Sequence, residues 1–128
     1  VVSLDLDIVI AVAGGDEVCA KAAALNWRVE RFPHSVKLTA PESALRIQIQ
    51  KDERYQAFIP RAVEKTVLDY KMRVARLDDV LSGKLWAYQD PARRGSKRQK
   101  DLADVARLVE AHPALAAQLP EAVRKRLE

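Results

Sequence analysis

Val2, Leu4, Leu6, Ile8 and Ile10 share one parity, and Ser3, Asp5 and Asp7 share the other. That period of two predicts a strand with one buried face and one polar face. Gly14-Gly15 breaks the strand, and Asp16 is positioned as an N-cap. Val18, Ala22 and Leu25 then recur at helical spacing to near Asn26. From Trp27 to Gln50 the pattern returns to strands interrupted by Pro33 and Pro41. Val36 and Leu38, then Leu45, Ile47 and Ile49, alternate with polar residues that include Arg46, Gln48 and Gln50. A small antiparallel or mixed sheet is the predicted product. Asp52-Glu53-Arg54 is a charged turn, residues 57–62 fit no single element, and Thr66-Val67-Leu68 and Met72-Arg73-Val74 predict two short extended pieces.

After Ala75 the period changes. Leu77, Val80, Leu81, Leu85 and Trp86 are spaced by three and four, predicting a helix that ends at Tyr88 before Asp90-Pro91. A second helix, N-capped by Ser96, carries the stripe Leu102, Val105, Ala106, Val109 and stops at His112-Pro113. Residues 114–119 and 121–127, split by Pro120, predict two short closing helical pieces. The stripes of the two longer helices, through Leu81, Leu85, Leu102, Val105 and Val109, should pack together. The predicted fold class is α+β: a sheet-containing core over residues 1–75, followed by a helical half over 76–128 packed on it.

The 128 residues, 48% hydrophobic and 31% charged, have the composition of one globular domain. No apolar run reaches the 18 residues of a membrane-spanning helix, so no membrane association is expected. A single cysteine, Cys19, excludes an internal disulfide, and no secretory signal precedes the first strand. The expected compartment is the cytoplasm. The chain opens on Val1 and enters a strand pattern at once, so further residues are expected to precede it. Residues 1–64 carry 8 Lys/Arg against 9 Asp/Glu, whereas residues 65–128 carry 14 against 9. The excess gathers in Arg93-Arg94-Gly95-Ser96-Lys97-Arg98-Gln99-Lys100. Arg93, Arg94, Lys97 and Arg98 there suit a phosphate or nucleic-acid contact, and a solvated loop entering a helix is an equal alternative.

Asp5-Leu6-Asp7 is the sharpest chemical feature. Two carboxylates separated by one strand residue project from one face and can share Mg²⁺ or Mn²⁺. Aspartate disfavours strands, and two of them interrupt a strongly β sequence. Rossmann and P-loop fingerprints are missing, and His34 and His112 stand too far apart for a zinc set. Cys19 is expected in the core and His34 in a loop. Lys84 on the first late helix, with Arg98, Lys100, Asp101 and Asp104 on the next, forms a second cluster. Its four-residue spacings Lys97–Asp101 and Lys100–Asp104 predict intrahelical ion pairs.

Taken in order, Ser3-x-Asp5-x-Asp7, Leu45-Arg46-Ile47, Asp79-Val80-Leu81-x-x-Lys84-Leu85-x-Ala87 and Arg98-x-Lys100-Asp101-Leu102-x-Asp104 resemble the nucleotidyltransferase-fold proteins of the AbiEii/AbiGii toxin type. The resemblance covers nearly the whole chain and implies a mixed sheet of the nucleotidyltransferase type. It implies a metal-dependent transfer of a nucleotide from a nucleoside triphosphate to an RNA or protein hydroxyl, and an antitoxin partner. Asp5 and Asp7 would be catalytic and hold the metal, and Lys84, Lys100 and Asp101 would line the nucleotide site within reach of them. Two departures stand out. The Gly-Ser turn that precedes the Asp-x-Asp strand in the family has no counterpart here. Where the family often supplies a third carboxylate, this chain has Gln48 and Gln50, and an amide cannot serve as a general base. A catalytically inactive module of the same fold, binding nucleic acid or a partner protein, is the alternative.

Overall fold

In the computed structural model residues 4–11 and 14–128 are described, so Val2 and Ser3 of the expected first strand lie outside the described residues. Four strands form one sheet: β1 (Leu4–Ile8), β2 (Arg28–Arg31), β3 (Ser35–Thr39) and β4 (Leu45–Gln50). Their spatial order is β1-β4-β3-β2, with β1 parallel to β4 and the other two pairs antiparallel. The sheet is therefore mixed. Helix α1 (Gly15–Ala24) buries Cys19 and Ala22 in a core with Val36, Leu38 and Ile49, and Ile8, Ile10, Val18, Trp27, Val29 and Ile47 pack around it.

Leu6 departs from the expected apolar layer. It is 41% exposed, although its parity matches Ile8. The reason is position: β1 is an edge strand, and the buried cluster is centred on β3 and β4. Ile10 lies past the end of β1 yet packs on that cluster, and its carbonyl accepts a hydrogen bond from Gln56 Nε2 at 3.0 Å.

Asp16 falls inside the first turn of α1 rather than at the N-cap, which is Gly14. Together with Glu17 it places negative charge where the helix dipole favours it. The helix closes in a Schellman arrangement: Trp27 N donates to Ala22 O and Asn26 N to Ala23 O, both at 3.0 Å, with Asn26 left-handed at φ 64°.

After the charged turn at Asp52-Glu53-Arg54, a 3-10 turn (Glu53–Ala57) runs into a single helical turn, α2 (Phe58–Arg61), which resolves most of the stretch 57–62 that fitted no single element. Asp52 caps the turn, and its hydrogen bonds with Arg54 hold its carboxyl below the usual range. A two-stranded hairpin follows, β5 (Val63–Val67) and β6 (Tyr70–Val74). Leu68 belongs to its turn, not to the strand, with Leu68 and Asp69 both left-handed at φ 49° and 67°. Two consecutive left-handed residues are what a two-residue hairpin loop demands, here without the usual Asn-Gly signal. Arg73 ties the hairpin down through Nη2, which donates to the carbonyls of Ile59 and Ala62.

The chain divides into two compact units, one ending at Arg73 and one beginning at Val74. The second holds α3 (Leu77–Gln89), α4 (Gly95–Ala111), a 3-10 segment (Pro113–Gln118) and α5 (Glu121–Leu127). Ser96 lies within the first turn of α4, whose N-cap is Arg94, without a side-chain cap. As the stripes predict, α3 and α4 pack together. Leu81, Leu85 and Val105 are buried with Leu115, Leu119 and Val123, and Leu102 and Val109 pack against them. Leu81 is fully buried, so Leu81→Ala should lower stability by about 2–5 kcal/mol in urea denaturation. No described helix is long and apolar enough to cross a membrane.

Candidate functional site

The register of β1 against β4 decides what surrounds the two aspartates. Asp5 lies opposite Arg46 and Asp7 opposite Gln48. Gln48 in turn faces Lys37, which faces Glu30, and Arg46 faces Thr39, which faces Arg28. Paired residues share a face, so two polar rows cross all four strands on the side opposite the α1 core. Asp5 and Asp7 stand together at the open edge of these rows, as their parity requires.

Both carboxylates are exposed. Arg46 Nε lies 3.3 Å from Asp5 Oδ1, with each side chain about half exposed (48% and 53%). Such a surface pair is weak and can open to a ligand. Asp7 has no ion-pair partner among the described residues. No group of three or more His, Cys, Asp or Glu is gathered among the described residues. The local donor set is two carboxylates and the Gln48 amide oxygen, all hard oxygen ligands. That chemistry fits Mg²⁺, which commonly takes one or two carboxylates and keeps several waters.

The second cluster is wired differently from its sequence spacing. Asp101 is almost wholly buried and accepts two hydrogen bonds from Arg93, from Nε at 2.5 Å and Nη2 at 3.1 Å. Asp104 accepts from Lys84 Nζ of α3 at 2.9 Å and also from Arg107. The expected pairs Lys97–Asp101 and Lys100–Asp104 are therefore not formed: both aspartates turn toward the α3 side and the preceding loop, while Lys97 and Lys100 are exposed. Arg94 is also exposed. Arg98 Nε donates to the Tyr88 carbonyl at 2.8 Å, and its guanidinium lies 5.4 Å from the centre of the Tyr88 ring.

Burial pushes the Asp104 carboxyl up, but the hydrogen bonds and charges of Lys84 and Arg107 outweigh it and hold it below its ordinary value of 3.8. A depressed folded pKa stabilises the protein above the unfolded value and is lost as pH falls through the folded one. Denaturation at falling pH should thus show the stability gap between the unaltered chain and Asp104→Asn shrinking from the ordinary carboxylate range downward.

Parity alone placed Asp5 and Asp7 on one face. It could not show that Arg46 and Gln48 would be their neighbours, because that depends on which strand pairs with β1. The Arg93–Asp101 pair gave no periodic signal, since Arg93 precedes the helix.

Paired carboxylates at the edge of a mixed sheet, with a helical unit after it, form the α+β arrangement expected of the nucleotidyltransferase class. The chain belongs to the family of nucleotidyl transferase AbiEii toxins of type IV toxin-antitoxin systems, whose model matches residues 3–128. No curated protein sequence matches the chain.

Proposed function

We propose that the protein transfers a nucleotide from a nucleoside triphosphate to a hydroxyl of RNA or protein, as a metal-dependent toxin held in check by an antitoxin. The observation that carries this reading is the placement of Asp5 and Asp7 side by side on the polar face of β1, with the Gln48 amide next to Asp7. Asp5, Asp7 and the Gln48 oxygen would hold Mg²⁺. When bound, the ion neutralises triphosphate charge and makes an acceptor hydroxyl easier to deprotonate. Arg46, now on Asp5, is placed to take up phosphate charge once that carboxylate turns to the metal. On the family pattern Lys84, Lys100 and Asp101 would line the nucleotide site, with Lys84 offering its ammonium to the phosphates.

Gln48 supports a second reading. It stands beside Asp7 where a carboxylate could have acted as base, which favours a module that binds nucleic acid or a partner protein without catalysis. Incubation with each nucleoside triphosphate labelled at the α-phosphate, Mg²⁺ and total RNA separates the two. Label transferred to RNA or to protein supports the enzyme. No transfer from a folded full-length protein supports the binding module.

A further inference from the structure

A cleft of about 450 Å³ opens in the helical unit between the end of α3, the first turn of α4 and α5, lined by Tyr88, Gln89, Arg98, Ala122, Val123 and Arg126. Two of its six lining residues are arginines, and neither has a carboxylate partner among the described residues. Arg93, Lys84, Arg107 and Arg76 are neutralised by aspartates, whereas Arg98 and Arg126, like Arg94, Lys97, Lys100, Arg124 and Lys125, have no carboxylate partner among the described residues. Two guanidinium groups that line one cleft without a carboxylate partner favour an anion there.

Arg98 is also oriented in advance. Its Nε is committed to the Tyr88 carbonyl and its plane is held over the Tyr88 ring, while no further hydrogen bond engages its two terminal nitrogens. A guanidinium so oriented can offer a forked donor pair to a phosphate without first ordering its side chain. Arg126 brings a second charge from another helix. Arg94 and Lys97 at the start of α4, and Lys125 on α5, are exposed and add more positive charge than one small anion needs. That surplus fits a chain of phosphates.

We propose that this cleft is a phosphate subsite for a nucleic-acid strand, with one backbone phosphate held between Arg98 and Arg126. The proposal rests on the transfer reading only for its choice of nucleic acid as the anion. Phosphate contact here would position a strand without reading its bases.

The test is fluorescence anisotropy of the full chain with a labelled single-stranded RNA of about a dozen nucleotides, in EDTA and without triphosphate. Neither metal binding nor catalysis enters, so failure of the transfer reading would leave this result unaffected. Arg126 makes no contact that the fold depends on, and Arg126→Ala should weaken binding roughly ten-fold. It should also reduce the slope of log K against log salt concentration by about 0.7, the value for one lost phosphate contact on a single strand. Arg98→Lys, which keeps the charge and loses the fork, should weaken binding less than Arg126→Ala combined with it. Lys71→Ala, an equal loss of charge on the hairpin, should leave binding unchanged. Equal weakening by Lys71→Ala would reduce the effect to diffuse charge and overturn the cleft, as would unchanged binding in Arg126→Ala. Competition by free triphosphate at equal phosphate concentration as effective as unlabelled RNA would assign the anion to a free nucleotide and overturn the strand.

Discussion

Asp5→Asn combined with Asp7→Asn should abolish the heat of Mg²⁺ binding in calorimetric titration of the full-length protein and leave the fold intact. Each replacement keeps the size of the side chain and removes the negative charge that a hard divalent cation requires. Both side chains are exposed, and the one ion pair lost, Asp5 with Arg46, is half solvated. Its loss should cost no more than about 1 kcal/mol, so the melting temperature should move by only a few degrees. Asp7→Asn alone should remove most of the heat, because Asp7 has no cation to neutralise it in the apo chain, whereas Asp5 must first leave Arg46. Arg46→Ala should act in the opposite direction and tighten Mg²⁺ binding. Undiminished heat in the double variant would place the metal elsewhere and remove the basis of the proposed transfer chemistry.

The largest effect on stability is expected from a residue for which sequence alone offered a phosphate contact or a solvated loop. Arg93→Ala removes the cation that holds the Asp101 carboxylate, whose side chain is 3% exposed. Removing one partner of a buried ion pair costs about 3–5 kcal/mol, because the remaining charge cannot regain its water. Asp101→Ala should cost less. The Arg93 side chain is 36% exposed, so its guanidinium can be hydrated once the aspartate is gone. Urea denaturation of the two variants therefore carries a sign as well as a size: Arg93→Ala should be the less stable of the pair. The reverse order, or a loss below about 0.5 kcal/mol for Arg93→Ala, would show that Asp101 is not held as a buried anion.

Much of this molecule was legible from local pattern. The helices around Leu81 and Val105, the strands around Val36 and Ile47, and the shared face of Asp5 and Asp7 follow from periods of three to four and of two, which depend only on backbone geometry. Burial of Cys19 and the breaks at Asp90-Pro91 and His112-Pro113 belong to the same category. Local rules misled at the helix starts: Asp16 and Ser96 are good capping residues, yet α1 and α4 begin one or more residues earlier, with backbone caps alone. The hairpin turn at Leu68-Asp69 was equally hidden, because the pairing of β5 with β6 imposes left-handed backbone on a leucine that would not choose it.

By itself, then, the sequence determined element type, the apolar stripes and the pairing of two carboxylates, all properties of residues a few positions apart. Only the tertiary structure decided which groups those carboxylates meet. Strand order made β1 an edge, left Leu6 at the rim of the core and set Arg46 and Gln48 beside Asp5 and Asp7. The same holds for charge in the helical unit. Four-residue spacing offers Lys97 and Lys100 to Asp101 and Asp104, but an exposed intrahelical pair gains only a few tenths of a kcal/mol. Packing of α3 against α4 withdraws both aspartates from water, and a carboxylate losing its hydration takes the cations that the fold brings to it, Arg93 and Lys84.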